Sequence, residues 1–383
     1  MLDFYALEDL LTPEEKEIQK AARRFLEKEA LPHIREWWEE GVFPTHLIPR
    51  FAELGFLGPT SPRVRGSGGD ERRLRPHRLR AGTGGLGAKE LRERAELPGD
   101  VPHLRLWERG AKAGVPPRLA RGEMVGCFGL TEPDGGSDPY GNMKTRARRE
   151  GDTWVLNGTK MWITNGNLAH LAVIWAKDEE GQVLGFIVPT DTPGFQAREV
   201  KHKMSLRASV TSELVLEEVR VPESLRLPKA LGLKAPLSCL TQARFGIAWG
   251  ALGALEAVYT EAVEFAKSRS TFGEPIAKKQ LVQAKLAEML AWHTEGLLLA
   301  WSFPGSRTRA SSRPPRSPWP SGRTSGRPFR PPAWPGTSWE EAASPWSTTP
   351  SAHAEPGDRL HLRGTHDVHT LVLGREITGL SAF

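Results

Sequence analysis

Residues 127–138 of this 383-residue chain read CFGLTEPDGGSD, an apolar alternation that runs into a glycine-rich turn. Phe128 and Leu130 stand two residues apart, as side chains on one face of a strand do, and both are typical of strand core. Ser137 follows Gly135 and Gly136 and is typical of a turn. The stretch therefore predicts a strand that ends in a polar turn.

The alternating pattern continues on the C-terminal side of this stretch. Asn157-Gly158 interrupts the apolar segments of residues 154–163 and predicts a hairpin. Residues 171–188 predict a second hairpin across an acidic, glycine-containing turn, and residues 212–221 predict a further strand. The region therefore predicts a middle antiparallel β-domain.

Helical patterns lie on both sides of the β-region. Thr12 and Pro13 suit the N-cap and the first helical position, and Pro32 predicts a kink or a break. Residues 240–301 return to helical spacing, with a break at Pro275. The order helical, β, helical predicts an α+β chain of two or three domains.

Composition points to an ordinary soluble enzyme. Hydrophobic residues make up 39% and charged residues 26% of the chain, and no apolar run approaches the roughly 20 residues of a membrane span. The N-terminus carries acidic residues and no basic segment, so we expect no signal peptide. Two cysteines, Cys127 and Cys239, predict a reducing, cytoplasmic setting without a disulfide framework.

The net charge of +6 is concentrated in two unusual blocks. Residues 61–110 carry a net charge of +5, and residues 304–363 carry another +5. Residues 304–336 are so rich in Pro, Arg, Ser and Gly that they predict disorder. Two basic insertions that bind nucleic acid are one interpretation, but no aromatic platform or known nucleic-acid module accompanies the charge. We therefore predict no nucleic-acid partner.

Five motifs, taken together, resemble one enzyme family. Residues 127–138 are similar to the signature of acyl-CoA dehydrogenases, and the two branch-specific motifs most resemble glutaryl-CoA dehydrogenases. The other four motifs are MWITNG at 161–166, RSTFG at 269–273 with Gln280 following, and the branch-specific QARFGIAWG at 242–250 and GTHDVH at 364–369. The resemblance covers about residues 1–60, 119–301 and 364–383.

The resemblance implies an architecture and a set of partners. It implies an N-terminal α-helical domain (1–126), a middle β-domain (127–230) and a C-terminal α-helical bundle (231–383). FAD would lie between the β-domain and the bundle, an acyl-CoA would be the substrate, and an electron-transfer flavoprotein would accept the electrons. A homotetramer is implied as well.

The resemblance also assigns residues to the two ligands. Thr131 and Thr164 would hydrogen-bond the flavin, Trp162 would cover it, and Arg269 would pair with the pyrophosphate of a neighbouring subunit's FAD. The predicted FAD-binding residues are Phe128, Leu130, Thr131, Ser137, Trp162, Thr164, Arg269, Phe272, Gln280, Thr365 and Asp367. The predicted substrate-binding residues are Ser137, Arg244 and Gly364. His366 and His369 have no third ligand, so we predict no metal.

The catalytic base is the main departure from the family pattern. The family places a glutamate just before the Gly-Thr-His-Asp stretch, where this chain has Arg363. An arginine stays protonated and cannot accept the α-proton of a thioester. The sequence as written therefore predicts no catalytic residue at this position.

A shifted reading frame accounts for both unusual blocks. Residues 358–364 (DRLHLRG) can be encoded so that reading one nucleotide later gives Thr-Val-Phe-Thr-Phe-Glu-Gly, which restores the glutamate. Residues 62–68 (PRVRGSG) can likewise become the family-like Pro-Glu-Tyr-Gly-Gly-Ala-Gly. We interpret residues 62–117 and 302–363 as read out of frame.

The reaction implied by the resemblance is oxidative decarboxylation of glutaryl-CoA to crotonyl-CoA, impaired in the chain as written. A short-chain acyl-CoA dehydrogenase without decarboxylation is the alternative within the enzyme class. A catalytically inactive basic protein that binds anions is the alternative outside it. Release of CO2 separates the first two, and a flavin absorption spectrum separates both from the third.

Overall fold

The computed structural model describes residues 6–11, 13–57, 115–136 and 138–309. Most of both basic blocks therefore lies outside the described residues. So do the predicted N-cap Thr12, the predicted site residues Ser137, Gly364, Thr365 and Asp367, and Arg363.

Helices precede and follow the β-region, as the sequence predicts. The helices are α1 (Pro13–Glu29), α2 (Ile34–Glu40), α3 (Leu47–Glu53), α4 (Val115–Ala120), α5 (Lys234–Ser268) and α6 (Gln280–Arg309), and short 3₁₀ turns lie at Leu7–Leu10, Glu223–Leu225 and Ile276–Lys278. The predicted breaks at Pro32 and Pro275 are confirmed, because both prolines lie between helices.

One helix extends further than the composition predicts. The disorder expected from residue 304 onward is wrong for residues 304–309, because α6 continues to Arg309. A nucleated helix propagates more readily than it starts, so it can extend into an unfavourable composition, although Pro304 has no N–H to donate to it.

A single mixed sheet forms the centre of the described structure. Its strands are β1 (Gly126–Gly129), β2 (Arg146–Glu150), β3 (Thr153–Thr164), β4 (Leu171–Lys177), β5 (Val183–Pro189), β6 (Phe195–Glu199), β7 (Thr211–Pro222) and β8 (Arg226–Leu231). The strand order is β6-β7-β3-β2-β4-β5-β8. β1 pairs with β4 in parallel, and one bridge pairs β2 with β4 in parallel, whereas the other pairings are antiparallel.

The second predicted hairpin is confirmed and the first is wrong. β4 and β5 pair antiparallel across residues 178–182, as predicted. Asn157-Gly158, in contrast, lies inside the continuous strand β3, at a register shift against β7. Gly158 has a φ of 150°, and a Cβ there would lie 2.7 Å from the Cα of Thr145. The glycine therefore allows a close backbone approach and not a turn.

The sheet is buried on both faces by two apolar clusters. One face packs Leu156, Ile174 and Phe186 together, and the other packs Val173, Trp175 and Leu227. The N-terminal helices pack in a third cluster that also includes Val125 and Val210 from the edges of the β-region. Arg207 fastens this contact, since its guanidinium donates to the backbone oxygens of Trp38 and Glu39 at the end of α2.

Candidate active site

The C-terminal end of β1 places the first predicted flavin-binding residues. The ring of Phe128 is partly exposed and packs edge-on against Trp175, with 6.0 Å between centroids. Leu130 is buried in the apolar cluster around Trp175. Thr131 follows the strand and is partly exposed. The end of β1 thus leaves Phe128 and Thr131 partly accessible and places Leu130 in the core.

A β-bulge in β3 directs the second predicted segment outward. The register of β3 against β7 shifts between Lys160 and Ile163, and Trp162 takes a left-handed backbone conformation with φ 62°. Its side chain is 59% exposed, whereas Ile163 is buried. Non-glycine residues with positive φ are uncommon and concentrate at functional sites. The bulge therefore presents a large apolar ring to whatever occupies this surface.

The structure brings these two segments together. The backbone N–H of Met161 donates to the carbonyl of Thr131 at 2.9 Å. Thr164, at the end of β3, is partly buried and pairs with Thr211 of β7. The predicted flavin residues Thr131, Trp162 and Thr164 thus lie on two adjoining segments, β3 and the residues that follow β1.

A second group of predicted residues lies on the turn between α5 and α6. Residues 270–271 and 274–275 form a two-residue ribbon, β9 (Ser270–Thr271) with β10 (Glu274–Pro275). Phe272 lies at its tip with φ 52° and is 98% exposed, while Arg269 and Gln280 at the ends of the turn are exposed as well. The connection between the two helices therefore exposes one aromatic side chain at its tip and two polar side chains at its ends.

The substrate-binding predictions are largely outside the described structure. Arg244 lies in α5, which the sequence predicts, and its side chain is not among those described. Ser137 and Gly364 lie outside the described residues. These assignments remain predictions from the sequence.

Sequence reasoning missed a buried ion pair beside the two predicted flavin segments. Lys160 is fully buried and Glu132 is 5% exposed, and the Lys160 Nζ lies 2.7 Å from the Glu132 Oε1. Both residues lie inside or beside the quoted motifs, but Lys160 stands between Thr159 and Met161, and β3 alone carries no signal of its burial. An isolated charge is rarely buried, so such a residue indicates a partner.

Burial and hydrogen bonding set the protonation of this pair. Burial lowers the pKa of the Lys160 ammonium to about 8, although Glu132 pulls it upward. Burial by itself raises the pKa of the Glu132 carboxyl, but Lys160 and the donors from Thr145 and Lys144 outweigh it, so this pKa lies below its ordinary value. At neutral pH the site therefore holds a carboxylate and an ammonium.

The described residues contain neither a cluster of metal ligands nor a helix that could span a membrane. In that part of the chain, no group of three or more His, Cys, Asp or Glu side chains could hold a metal ion. Over the same residues, no helix combines the length and the apolar character required to cross a bilayer.

Comparisons with known proteins match most of the described chain. The N-terminal, middle and C-terminal domain models of acyl-CoA dehydrogenases match residues 12–74, 127–219 and 231–308. The mitochondrial short-chain specific acyl-CoA dehydrogenase of Rattus norvegicus is 34% identical over 292 residues, which cover 74% of this chain and 70% of that protein. A probable acyl-CoA dehydrogenase of Bacillus subtilis is 35% identical over 288 residues, covering 73% and 75%.

Solved structures that resemble this chain belong to the same family. A glutaryl-CoA dehydrogenase from Mycobacterium smegmatis in complex with FADH2 superposes with a TM-score of 0.86 at 37% identity, covering 100% of this chain and 99% of that one. Butyryl-CoA dehydrogenase from Megasphaera elsdenii superposes with a TM-score of 0.85 at 25% identity, covering 98% and 100%. The predicted fold class is confirmed, and the chain belongs to the acyl-CoA dehydrogenase family.

Proposed function

We propose that the protein is an FAD-dependent glutaryl-CoA dehydrogenase that forms crotonyl-CoA and CO2, and that the chain as written is impaired. The observation that carries the FAD site is the contact between two segments, in which Met161 donates to the Thr131 carbonyl beside an outward-facing Trp162. The choice of substrate is supported by the motifs at 242–250 and 364–369 and by the similarity to glutaryl-CoA dehydrogenases at 37% and 39% identity.

The residues at this surface fit a flavin. A flavin is a large aromatic ring with a polar edge. The site offers an exposed indole at Trp162, and the neighbouring Met161 is bonded to Thr131, which carries a hydroxyl. In our proposal, Trp162 covers the ring, and Thr131 and Thr164 hydrogen-bond its polar edge. Arg269, Phe272 and Gln280 hold the FAD of a neighbouring subunit. The bound FAD supplies the redox chemistry by accepting the β-hydride of the substrate.

The remaining residues in our proposal bind the thioester. Arg244, Ser137 and Gly364 would orient the CoA ester, so that its α-proton faces the catalytic base. Arg363 stands where that base belongs, and its guanidinium cannot take up a proton. Loss of a general base typically slows a reaction by about two to four orders of magnitude. We therefore propose that the frame-restored sequence, and not the chain as written, is the active enzyme.

A short-chain acyl-CoA dehydrogenase is the second candidate. It is favoured by the 34% identity over 292 residues to the rat short-chain enzyme. Such an enzyme would oxidise butyryl-CoA without decarboxylation. The two candidates share the proposed FAD site and differ only in the substrate and in the release of CO2.

We further propose a homotetramer in the cytoplasm that passes electrons to an electron-transfer flavoprotein. The assembly is supported by Phe272, whose side chain is 98% exposed at the tip of a short ribbon. Burial of this apolar ring against another subunit would be favourable. The domain limits 1–126, 127–230 and 231–383 are part of the same proposal.

The experiment compares two purified proteins, the chain as written and a version with residues 62–117 and 302–363 restored to the family frame. We expect the restored protein to show a flavin absorption band and to release CO2 from glutaryl-CoA. Turnover of butyryl-CoA with no CO2 from glutaryl-CoA would favour the short-chain candidate. A restored protein that binds no flavin would contradict both candidates and favour the inactive basic protein.

A further inference from the structure

Glu132 is held by hydrogen bonds from three directions. Its Oε2 accepts from the backbone N–H of Lys144 at 2.6 Å, and its Oε1 accepts from the backbone N–H and the hydroxyl of Thr145 at 3.1 and 2.5 Å. The same Oε1 accepts from the Lys160 Nζ at 2.7 Å. The carboxylate thus joins three segments: its own, the residues just before β2, and the middle of β3.

Two further hydrogen bonds extend this connection along the chain. The Lys160 Nζ also approaches the Leu130 carbonyl oxygen at 3.3 Å, and the Met161 N–H donates to the Thr131 carbonyl at 2.9 Å. Three consecutive residues, 130 to 132, are therefore bound by two consecutive residues of β3. Thr131 is the central one of the three, and Trp162 comes next after Met161.

The path of β1 is shaped to allow this arrangement. A Cβ on Gly129 would lie 2.7 Å from the Cδ1 of Ile174 and 3.3 Å from the Cγ of Lys160. The absence of a side chain lets β1 lie close against the aliphatic part of Lys160. The lysine side chain therefore reaches the Thr131 segment through the buried core and not through solvent.

We infer that Glu132 and Lys160 are positioning residues, which fix the Thr131 hydroxyl relative to the Trp162 ring and so shape the flavin site before the cofactor binds. The role toward the flavin rests on the function proposed above. Neither residue is a catalytic residue, because each acts through Thr131 and Trp162. A buried ion pair does not by itself imply greater stability than an apolar pair, whereas it can specify one arrangement of the segments that it joins.

The test is amide hydrogen exchange in the full chain, resolved by residue. In Lys160→Met we expect protection of the Met161, Lys144 and Thr145 amides to fall by about tenfold or more, because each bond depends on the position of residues 130–132. Protection of the β4–β5 hairpin should fall by no more than the loss of global stability accounts for. The matched control is Lys278→Met, which removes an exposed ion pair with Glu274 and should change none of these amides.

The double variant Glu132→Gln/Lys160→Met covers the case in which the single variant fails to fold. It leaves no unpaired buried charge, and we expect the same local loss of protection at Met161. Unchanged protection at Met161, or an equal loss throughout the sheet, would overturn the positioning role in either variant.

A titration with FAD separates this inference from the proposed function. If the pair positions the site, the double variant should bind FAD about tenfold more weakly than its parent, measured on the frame-restored chain. Equal affinity would overturn the role toward the flavin. A parent chain that binds no FAD would overturn the proposed function, and with it that role, while the exchange result would still decide whether the pair fixes the Thr131 segment.

Discussion

Burying a charged lysine away from solvent costs free energy unless an opposite charge compensates it. Glu132 provides that charge for Lys160. In Lys160→Met the Glu132 carboxylate remains buried without its cation, so we expect a loss of about 3–5 kcal/mol in the free energy of unfolding. Glu132→Gln/Lys160→Met should recover much of this loss. Denaturant titration measures both values. Equal losses in the single and double variants would contradict the expectation.

The acid dependence of stability follows from the lowered pKa of Glu132. A carboxyl whose pKa is lower in the folded state contributes stability above its unfolded pKa, about 4.3, and loses it as the pH falls through the folded value. Lys160 stays charged throughout this range. The free-energy difference between the parent and Glu132→Gln should therefore narrow as the pH falls from about 5 to about 2. A constant difference would show that Glu132 does not titrate in this range.

Gly158 tests the close contact inside β3. In Gly158→Ala the new methyl group would lie 2.7 Å from the Cα of Thr145, at a φ that favours glycine, so we expect a loss of about 2–3 kcal/mol. The control is Gly181→Ala, whose φ is also positive and whose Cβ would meet nothing within 4 Å. Thermal or chemical unfolding compares them. If Gly158→Ala lost no more stability than Gly181→Ala, the close approach between Gly158 and Thr145 would be contradicted.

At the scale of elements, local signals predicted segments better than they predicted connections. The β4–β5 hairpin was predictable because its turn and both strands are contiguous in sequence. Asn157-Gly158 carries the same local signal, yet pairing along the whole of β7 keeps β3 continuous. The burial of Lys160 was not predictable from β3 alone, because its partner lies 28 residues away.

The ribbon between α5 and α6 carries a prediction about assembly. Phe272→Asn replaces an exposed ring with a residue that tolerates the left-handed conformation, so the subunit should be no less stable. The dissociation constant of the proposed homotetramer should nevertheless rise by about tenfold or more, because an apolar anchor is lost. Sedimentation velocity measures this change. Val42→Asn, at another exposed apolar side chain, is the control, and an unchanged assembly in Phe272→Asn would contradict the proposed interface.

At the scale of the whole molecule, the order helical, β, helical was predictable because each period is sustained over many residues. Motif resemblance assigned Thr131 and Trp162 to one flavin, and this assignment remains a prediction. The hydrogen bond between Met161 and Thr131, which brings the two segments together, was not predicted. Composition could not predict the end of α6 at Arg309, since Pro and Gly at 304 and 305 favour an earlier end. The roles assigned to Arg363 and to the residues after it remain predictions from the sequence.

The most direct measurement of the central claim is glutaryl-CoA turnover by three purified proteins: the chain as written, Arg363→Glu, and the frame-restored chain. We predict CO2 release only from the frame-restored chain. Arg363→Glu alone should fail, because residues 302–362 would still be read in the shifted frame and would not carry the family sequence. Near-normal turnover by the chain as written or by Arg363→Glu would contradict the frame interpretation. No turnover by the frame-restored chain would contradict the proposed enzyme.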